Sequence, residues 1–197
     1  DEPPLPITVS KEVQKEIQTA GSAFEQALML QEQEVIRLLV KHGHKFLIEE
    51  PRVYQYFLDQ LEEVELENPT FKAIIDIYKK AIVEDKLIDQ STFLQHKDHN
   101  IQQVVSGLLT DRHQISKAWK ERFDIIIVDE DAILSETLYQ NVIRLKLRLV
   151  RTSIEKHSQK MKNKKLEMDE EIFIIQCMQQ LKLVEMQLAK DLGNIYQ

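Results

Sequence analysis

Cysteine, glycine and proline are all scarce in this chain of 197 residues. The single cysteine, Cys177, excludes an internal disulfide, and four glycines and five prolines offer few turn signals. No apolar run approaches the roughly 18 residues that a membrane-spanning helix needs. The amino terminus carries three prolines among its first six residues and lacks the basic start and apolar stretch of a signal peptide. We therefore expect a cytoplasmic protein that does not associate with membranes.

The motifs of common enzymes are also missing. There is no Gly-rich phosphate loop, no Gly-x-Ser-x-Gly elbow and no His-Glu-x-x-His pair. We expect no catalytic residues and no enzymatic activity in this fragment. The net charge of -7 argues against general affinity for nucleic acid, which requires a basic surface that releases counterions.

The residues that are abundant favour helices, because Leu, Ile, Gln, Glu and Lys dominate the composition. The patterns predict an all-α fold, in which a compact bundle of about six short helices precedes a long C-terminal helical hairpin. We divide the chain into an interdomain linker over 1–21, a helical bundle over 22–128 and the hairpin over 129–197.

Two helices are predicted at the start of the bundle. Ser22 and Glu25 have the spacing of a capping box, so helix 1 is expected over about 23–42, with Gly43 as its stop. Pro51 is suited to the first turn of a second helix, which should end near residue 63.

Further helices follow, each with its own start signal. Asn68 and Pro69 combine a capping side chain with a first-turn proline and predict helix 3. Ser91 and Asp98 are candidate caps of two short helices. One more short helix is expected over about 116–123.

The predicted hairpin follows an extended linker over 124–129 and has arms over about 130–161 and 169–192. Each arm has more apolar positions than one helix contact can cover, so part of the hairpin should meet a partner. The second arm has a seam with heptad spacing, made of Ile174, Cys177, Leu181, Val184 and Leu188. Four more apolar residues lie outside that seam: Ile172, Ile175, Leu183 and Met186.

Few residues offer metal or nucleophile chemistry. The spacings His42-x-His44 and His96-x-x-His99 could suggest a metal site, but no thiolate pair completes a zinc set, so polar loop histidines are the better interpretation. Cys177 is expected to be a buried, inert thiol within its seam.

Two charged segments have competing interpretations. The acids of 129–131 could attract a divalent cation, but three acids before a long helix are favoured as N-terminal caps. The basic run from Arg144 to Lys165 is interpreted first as a solvated helix face. Contact with nucleic acid or with an acidic partner surface remains open.

The order of these elements resembles the C-terminal helicase-binding domain of bacterial DnaG-type primases, over about residues 22–197. The opening helix, Glu32-Gln-Glu-Val-Ile-Arg-Leu-Leu-Val-Lys-His-Gly43, is similar to that of the family, which has an acidic residue, two hydrophobic positions and Arg-Leu-Leu before a small loop. The C-terminal segment resembles the last helix of the family and reads Leu181-Lys-Leu-Val-Glu-Met-Gln-Leu-Ala-Lys-Asp-Leu-Gly193.

The resemblance implies a partner and a site. The domain would bind the N-terminal domains of the hexameric replicative helicase (DnaB type) and modulate it during primer synthesis. This fragment would need no cofactor, whereas the upstream primase domains would hold zinc and magnesium. Direct binding to nucleic acid is not expected. The implied contact residues lie on the exposed side of the last helix and its tail: Met186, Gln187, Lys190, Asp191, Asn194 and Tyr196.

Two other functions remain as alternatives. The N-terminal helical domain of the replicative helicase itself has a similar fold, and a downstream Gly-x-x-x-x-Gly-Lys-Ser/Thr loop would identify it. A nucleic-acid-binding module built on the basic hairpin would show affinity that falls steeply with salt.

Overall fold

A computed structural model describes residues 11–47, 51–62, 64–110, 133–162 and 166–193, with side chains described from residue 23 onward. The prediction of an all-α fold is confirmed, since no strand occurs in these ranges beyond one isolated antiparallel bridge between Phe46 and Arg52. The helices described there are α1 (Lys11–His42), α2 (Val53–Gln60), α3 (Pro69–Val83), α4 (Gln90–Leu94), α5 (His99–Leu109), α6 (Leu134–Lys162) and α7 (Met168–Asp191).

The chain forms two compact units, which are described separately. One contains residues 1–28 and 147–197, and the other contains residues 29–146. The predicted boundary between bundle and hairpin, at 128 and 129, lies outside the described residues. The same holds for the predicted short helix over 116–123, the extended linker over 124–129 and the acidic cap over 129–131.

Helix α1 begins at Lys11, so the prediction that it starts near residue 23 is wrong. Ser22 lies inside the helix, and the predicted linker over 1–21 contains helical residues from Lys11 onward. This segment is mostly polar and consists largely of Lys, Glu, Gln and Ala, which are good helix formers. Its few apolar residues, Val13, Ile17 and Ala20, extend the helical spacing of Phe24 toward the amino terminus. The predicted stop is confirmed, because α1 ends at His42, directly before Gly43.

Helix α2 begins at Val53 and excludes Pro51, contrary to the prediction of a first-turn proline. The carbonyl of Pro51 instead accepts a hydrogen bond from Leu47 N at 3.1 Å, and Val53 N donates to Lys45 O at 2.9 Å. These bonds pair residues 45–47 with residues 51–53, and within this pairing the Arg52 guanidinium lies 4.0 Å from the centre of the Phe46 ring.

The predicted caps of α3 and α5 are confirmed. Asn68 Oδ1 accepts a hydrogen bond from Thr70 N at 2.9 Å, and Asp98 Oδ1 accepts one from Asn100 N at 2.8 Å. The cap of α4 is Asp89 rather than Ser91. Asp89 Oδ1 accepts bonds from the Ser91 hydroxyl at 2.6 Å and Thr92 N at 3.1 Å, and these bonds lower the pKa of its carboxyl group.

The core of the unit over 29–146 is centred on Tyr78 of α3. Its ring lies 5.8 Å from that of Tyr54 and 5.2 Å from that of Phe93, measured between centroids. Its hydroxyl donates to Leu39 O at 3.1 Å, and burial raises the pKa of this phenol. The fully buried apolar side chains of this unit come from six helices, α1 to α6, and include Val35, Ile36, Leu38, Leu39, Val53, Phe57, Phe71, Ile74, Phe93, Val105, Leu138, Val142 and Leu145.

Two polar contacts fix α1 within this unit. Gln31 Nε2 donates to Asn141 Oδ1 of α6 at 2.8 Å, and both side chains are buried. Glu32 is only 1% exposed and accepts a hydrogen bond from Glu67 N at 2.8 Å, just before the start of α3. Gln31, Glu32 and Asn141 therefore each have a hydrogen-bond partner, as their low-dielectric surroundings require.

Gly43 lies in a space too small for a side chain. Its N–H donates to Leu39 O at 2.8 Å. A Cβ atom at this position would lie 2.8 Å from Tyr78 Oη and closer still to Leu39 O. We expect Gly43→Ala to lower the free energy of unfolding by about 1 to 3 kcal/mol, because the backbone or the Tyr78 ring must shift.

Gly107→Ala is the matched control for this prediction. A Cβ atom there meets no other atom within 4 Å, and the position lies inside α5. Alanine should therefore leave stability unchanged or raise it by up to about 1 kcal/mol through helix propensity. Urea unfolding followed by circular dichroism compares the two variants, and equal effects would show that the close approach at Gly43 is unimportant.

The predicted C-terminal hairpin is present as α6 and α7, with ends close to those predicted. Arg151 Nε of α6 donates to Glu185 Oε1 of α7 at 2.8 Å, which places the two arms side by side in the unit over 1–28 and 147–197. Gly193 ends α7 with a φ of 70°. Among the described helices, none combines the length and apolar character that crossing a membrane requires.

Candidate interaction surface

Helix α7 exposes an unusual amount of apolar surface. Only Ile174 and Ala189 are buried in it, whereas Leu183, Met186 and Phe173 are each more than 60% exposed. Monomeric proteins rarely leave contiguous apolar patches of this kind uncovered. The last helix is therefore the candidate interaction surface.

One face of α7 carries most of these side chains. At about 100° per residue, they project within a narrow sector of the helix. We define the α7 stripe as Met168, Ile172, Ile175, Gln179, Leu183 and Met186, all of which are exposed. The prediction that apolar residues outside the seam need a partner is consistent with this exposure.

The opposite face of α7 is the buried seam, with two differences from the prediction. Cys177 is half-buried rather than buried. Val184 is 47% exposed and does not belong to the seam. Glu185 takes the seam position, because its carboxylate binds Arg151, and Ala189 follows it one turn later.

Glu185 joins two cations in the hairpin. Besides Arg151, it binds Lys182 Nζ at 2.7 Å. Burial alone would raise the pKa of Glu185, but the hydrogen bonds from Lys182 and Arg151 outweigh burial and lower it. The carboxylate therefore stays ionised and holds the two arms in register at neutral pH.

An open groove runs between the two arms, with a volume of about 730 Å³. Ser153 and His157 of α6 line one side, and the α7 residues that line the other are Gln176, Cys177, Gln179, Gln180 and Leu181. The groove is widely open, so it lacks the enclosure of a catalytic site.

The implied helicase contacts are placed as follows. Met186 is 65% exposed within the α7 stripe, and Lys190 lies one turn beyond it. Gln187 and Asp191 are exposed beside the stripe and are joined by a hydrogen bond of 2.8 Å. Asn194 and Tyr196 lie outside the described residues. The four described residues thus form one surface with an apolar centre and polar neighbours.

The basic run has partners within the chain for several of its members. Arg144 Nη2 donates to Gln140 Oε1 at 3.1 Å, and Lys146 Nζ donates to Gln60 Oε1 at 3.1 Å. Arg151 binds Glu185. Lys164 and Lys165 lie outside the described residues. The prediction of a solvated helix face fits only part of this run: Arg144, Lys156, Lys160 and Lys162 are exposed, whereas Lys146, Arg148 and Arg151 are half-buried.

His96 and His99 have local partners, whereas His42 is buried in the last turn of α1, so the interpretation as a polar loop histidine is wrong for it. His96 Nδ1 accepts a hydrogen bond from Asp98 N at 3.1 Å, and His99 Nδ1 lies 3.3 Å from Gln102 Oε1. Across the described ranges, no three His, Cys, Asp or Glu side chains are grouped so that they could hold a metal ion.

A second exposed apolar region was not anticipated from the sequence. Val83, at the end of α3, is 87% exposed, and Leu87 after it is 62% exposed. The interruption of the helix at Glu84 and the left-handed φ of 50° at Asp85 turn the chain here. These two side chains are isolated compared with the α7 stripe.

Comparison with known proteins gives a family but no function. Neither the curated proteins nor the solved structures include a match to this chain. A family model described as a domain of unknown function, DUF8430, matches residues 11–195. The chain therefore belongs to the DUF8430 family.

Proposed function

We propose that this domain is a non-catalytic docking module that binds the N-terminal helical domains of a hexameric replicative helicase, as the C-terminal domain of a DnaG-type primase would. The single observation that carries the proposal is the uncovered apolar α7 stripe at the end of an all-α fold. The partner is chosen by the resemblance of residues 32–43 and 181–193 to that family.

The chemistry of α7 supports a helical protein partner. Recognition of a helix in a groove uses apolar anchors on one helix face, three or four residues apart within each group. Ile172 and Ile175 form one such pair in α7, and Leu183 and Met186 form a second pair on the same face. Lys190 and Asp191 supply a polar rim that fixes orientation. Methionine adapts to irregular partner surfaces, which suits Met186 as a central contact.

The test uses the 197-residue chain and the helicase of the same organism. Size-exclusion chromatography should show the two proteins eluting together at micromolar concentration. We expect Met186→Glu to weaken binding about tenfold to a hundredfold in calorimetry, because a carboxylate would be buried against an apolar groove.

Val83→Glu is the matched control, since it places the same charge at an exposed apolar position outside the hairpin. It should leave the affinity for the helicase unchanged. If both variants bind like the natural sequence, the contact is elsewhere. If the folded domain shows no binding to the hexamer at micromolar concentration, helicase docking is wrong.

A further inference from the structure

The α7 stripe has an internal symmetry that the proposed function does not require. Its positions, extended to Lys190, are separated by steps of four, three, four, four, three and four residues. This sequence of steps is the same in both directions, with Gln179 at its centre. The chemistry is symmetrical as well, because two aliphatic side chains stand on each side of the central amide.

We propose that the α7 stripe is a docking surface for the α7 stripe of a second copy of this chain, arranged antiparallel about a two-fold axis through Gln179. In that arrangement Ile175 would face Leu183 of the second copy, and Ile172 would face Met186 of the second copy. Every aliphatic side chain of the inner stripe thereby meets another aliphatic side chain. A two-fold pairing must be self-complementary in this way.

Gln179 suits the position on the axis. A primary amide carries both donors and an acceptor, so two copies of the same side chain can bond to each other. A single polar pair within an apolar seam fixes the register, because any slip would leave the amides opposite aliphatic side chains. Gln179 is exposed at the edge of the groove between the two arms, so its amide is accessible to a second copy of the chain.

Charge distribution selects the antiparallel direction. The first turn of α7 contains Asp169, Glu170 and Glu171, whereas its last turn contains Lys190 beside Asp191 and has no net charge. An antiparallel pair sets each acidic turn beside this neutral turn of the second copy, in which Lys190 is the residue that extends the stripe. A parallel pair would bring six carboxylates together at one end and also align the two helix dipoles unfavourably.

The size of the stripe predicts a weak dimer. One helix face contributes less than the roughly 800 Å² per partner that stable complexes bury, so we expect a dissociation constant on the order of 10 to 100 µM. The dimer would cover Met186 and Lys190, two of the residues assigned to helicase contact. Self-association and helicase docking would therefore exclude each other.

Sedimentation equilibrium tests the association itself. The natural chain should approach twice the monomer mass at several hundred micromolar. Gln179→Glu should remain monomeric, because two carboxylates would meet on the axis. Gln179→Leu should bind itself at least threefold more tightly, because the polar pair is replaced by apolar contact. If the natural chain stays monomeric throughout this range, the inference is wrong.

Thiol cross-linking tests the register. In a Cys177→Ser background, Gln179→Cys alone should cross-link rapidly with a short thiol reagent. The matched control is Gln180→Cys, which is also exposed but projects about 100° away. A mixture of Ile172→Cys with Met186→Cys should cross-link between the two variants more than either variant does with itself. Equal rates at 179 and 180, or preferred 172-to-172 cross-links, would overturn the antiparallel pairing.

The outcome is separable from that of the proposed function. If the chain binds the helicase but never dimerises, only the inference of a dimer is wrong. If the chain dimerises with the expected cross-links but does not bind the helicase, only the proposed function is wrong. Circular dichroism shows whether each variant keeps its helical content, which we expect since all the substituted stripe positions are exposed.

Discussion

Tyr78→Ala should lower the free energy of unfolding of this domain by about 3 to 5 kcal/mol, which is the cost typical of deleting a large buried aromatic side chain. The ring is 1% exposed and packs against both Tyr54 and Phe93, so its loss leaves a cavity between α2, α3 and α4. Urea unfolding followed by circular dichroism measures this change.

Tyr78→Phe separates the ring from the hydroxyl. We expect it to cost only about 0.5 to 1.5 kcal/mol, the usual net value of one hydrogen bond. Leu39 O would lose the phenol but keep its bond from Gly43 N at 2.8 Å, so no acceptor is left without a partner. A phenylalanine variant as unstable as the alanine variant would show that the hydroxyl, rather than packing, dominates.

Glu32→Ala should also be strongly destabilising, by about 2 to 4 kcal/mol. It removes a buried side chain and leaves the backbone N–H of Glu67 without the carboxylate that accepts its hydrogen bond. Glu32→Gln keeps an acceptor of nearly the same shape. It should cost little at neutral pH, and a loss as large as that of the alanine variant would contradict the role assigned to the acceptor.

The stabilities of the natural chain and of Glu32→Gln should also respond differently to pH. Burial raises the pKa of Glu32 above its ordinary value of 4.5, outweighing the hydrogen bonds from the Glu67 and Asn68 backbone that lower it. A raised pKa means that ionisation is costlier in the folded state, so the favourable contribution is present at acid pH and is lost as the pH rises.

The natural chain should therefore gain unfolding free energy relative to Glu32→Gln as the pH falls from 7 to 4. Comparing the two proteins at each pH cancels the titration of the other carboxylates, including Glu185 with its lowered pKa. A shift in the opposite direction would mean that hydrogen bonding dominates over burial at Glu32.

Local signals predicted the helices well where they act through one or two side chains. Asn68 and Asp98 cap α3 and α5 as their sequence positions indicate. The two failures have different physical origins. Pro51 would fit a helix, but its carbonyl is taken by Leu47 N, and such a bond between nonadjacent residues leaves no periodic trace in the sequence. The early start of α1 follows from good helix formers combined with sparse apolar positions, Val13 and Ile17, which are a weak signal in a polar segment.

The candidate surface was only partly visible in the sequence. The heptad count assigned Val184 to the seam, whereas Glu185 occupies that place. The count weighs only hydrophobicity and misses the gain from the ion pair with Arg151. The sequence also did not indicate that Phe173 is exposed. Whether an apolar side chain is buried depends on its neighbours in space, which the sequence alone does not give.

The buried amide pair between Gln31 and Asn141 has a consequence for biosynthesis. These residues are separated by 110 positions, so the contact forms only after α6 has left the ribosome. Until then the part of α1 around Gln31 lacks its α6 partner and remains open to chaperones and to aggregation. Translation that pauses before α6 should prolong that period, and the yield of native protein in the cell should then depend on how fast the last third of this chain is made.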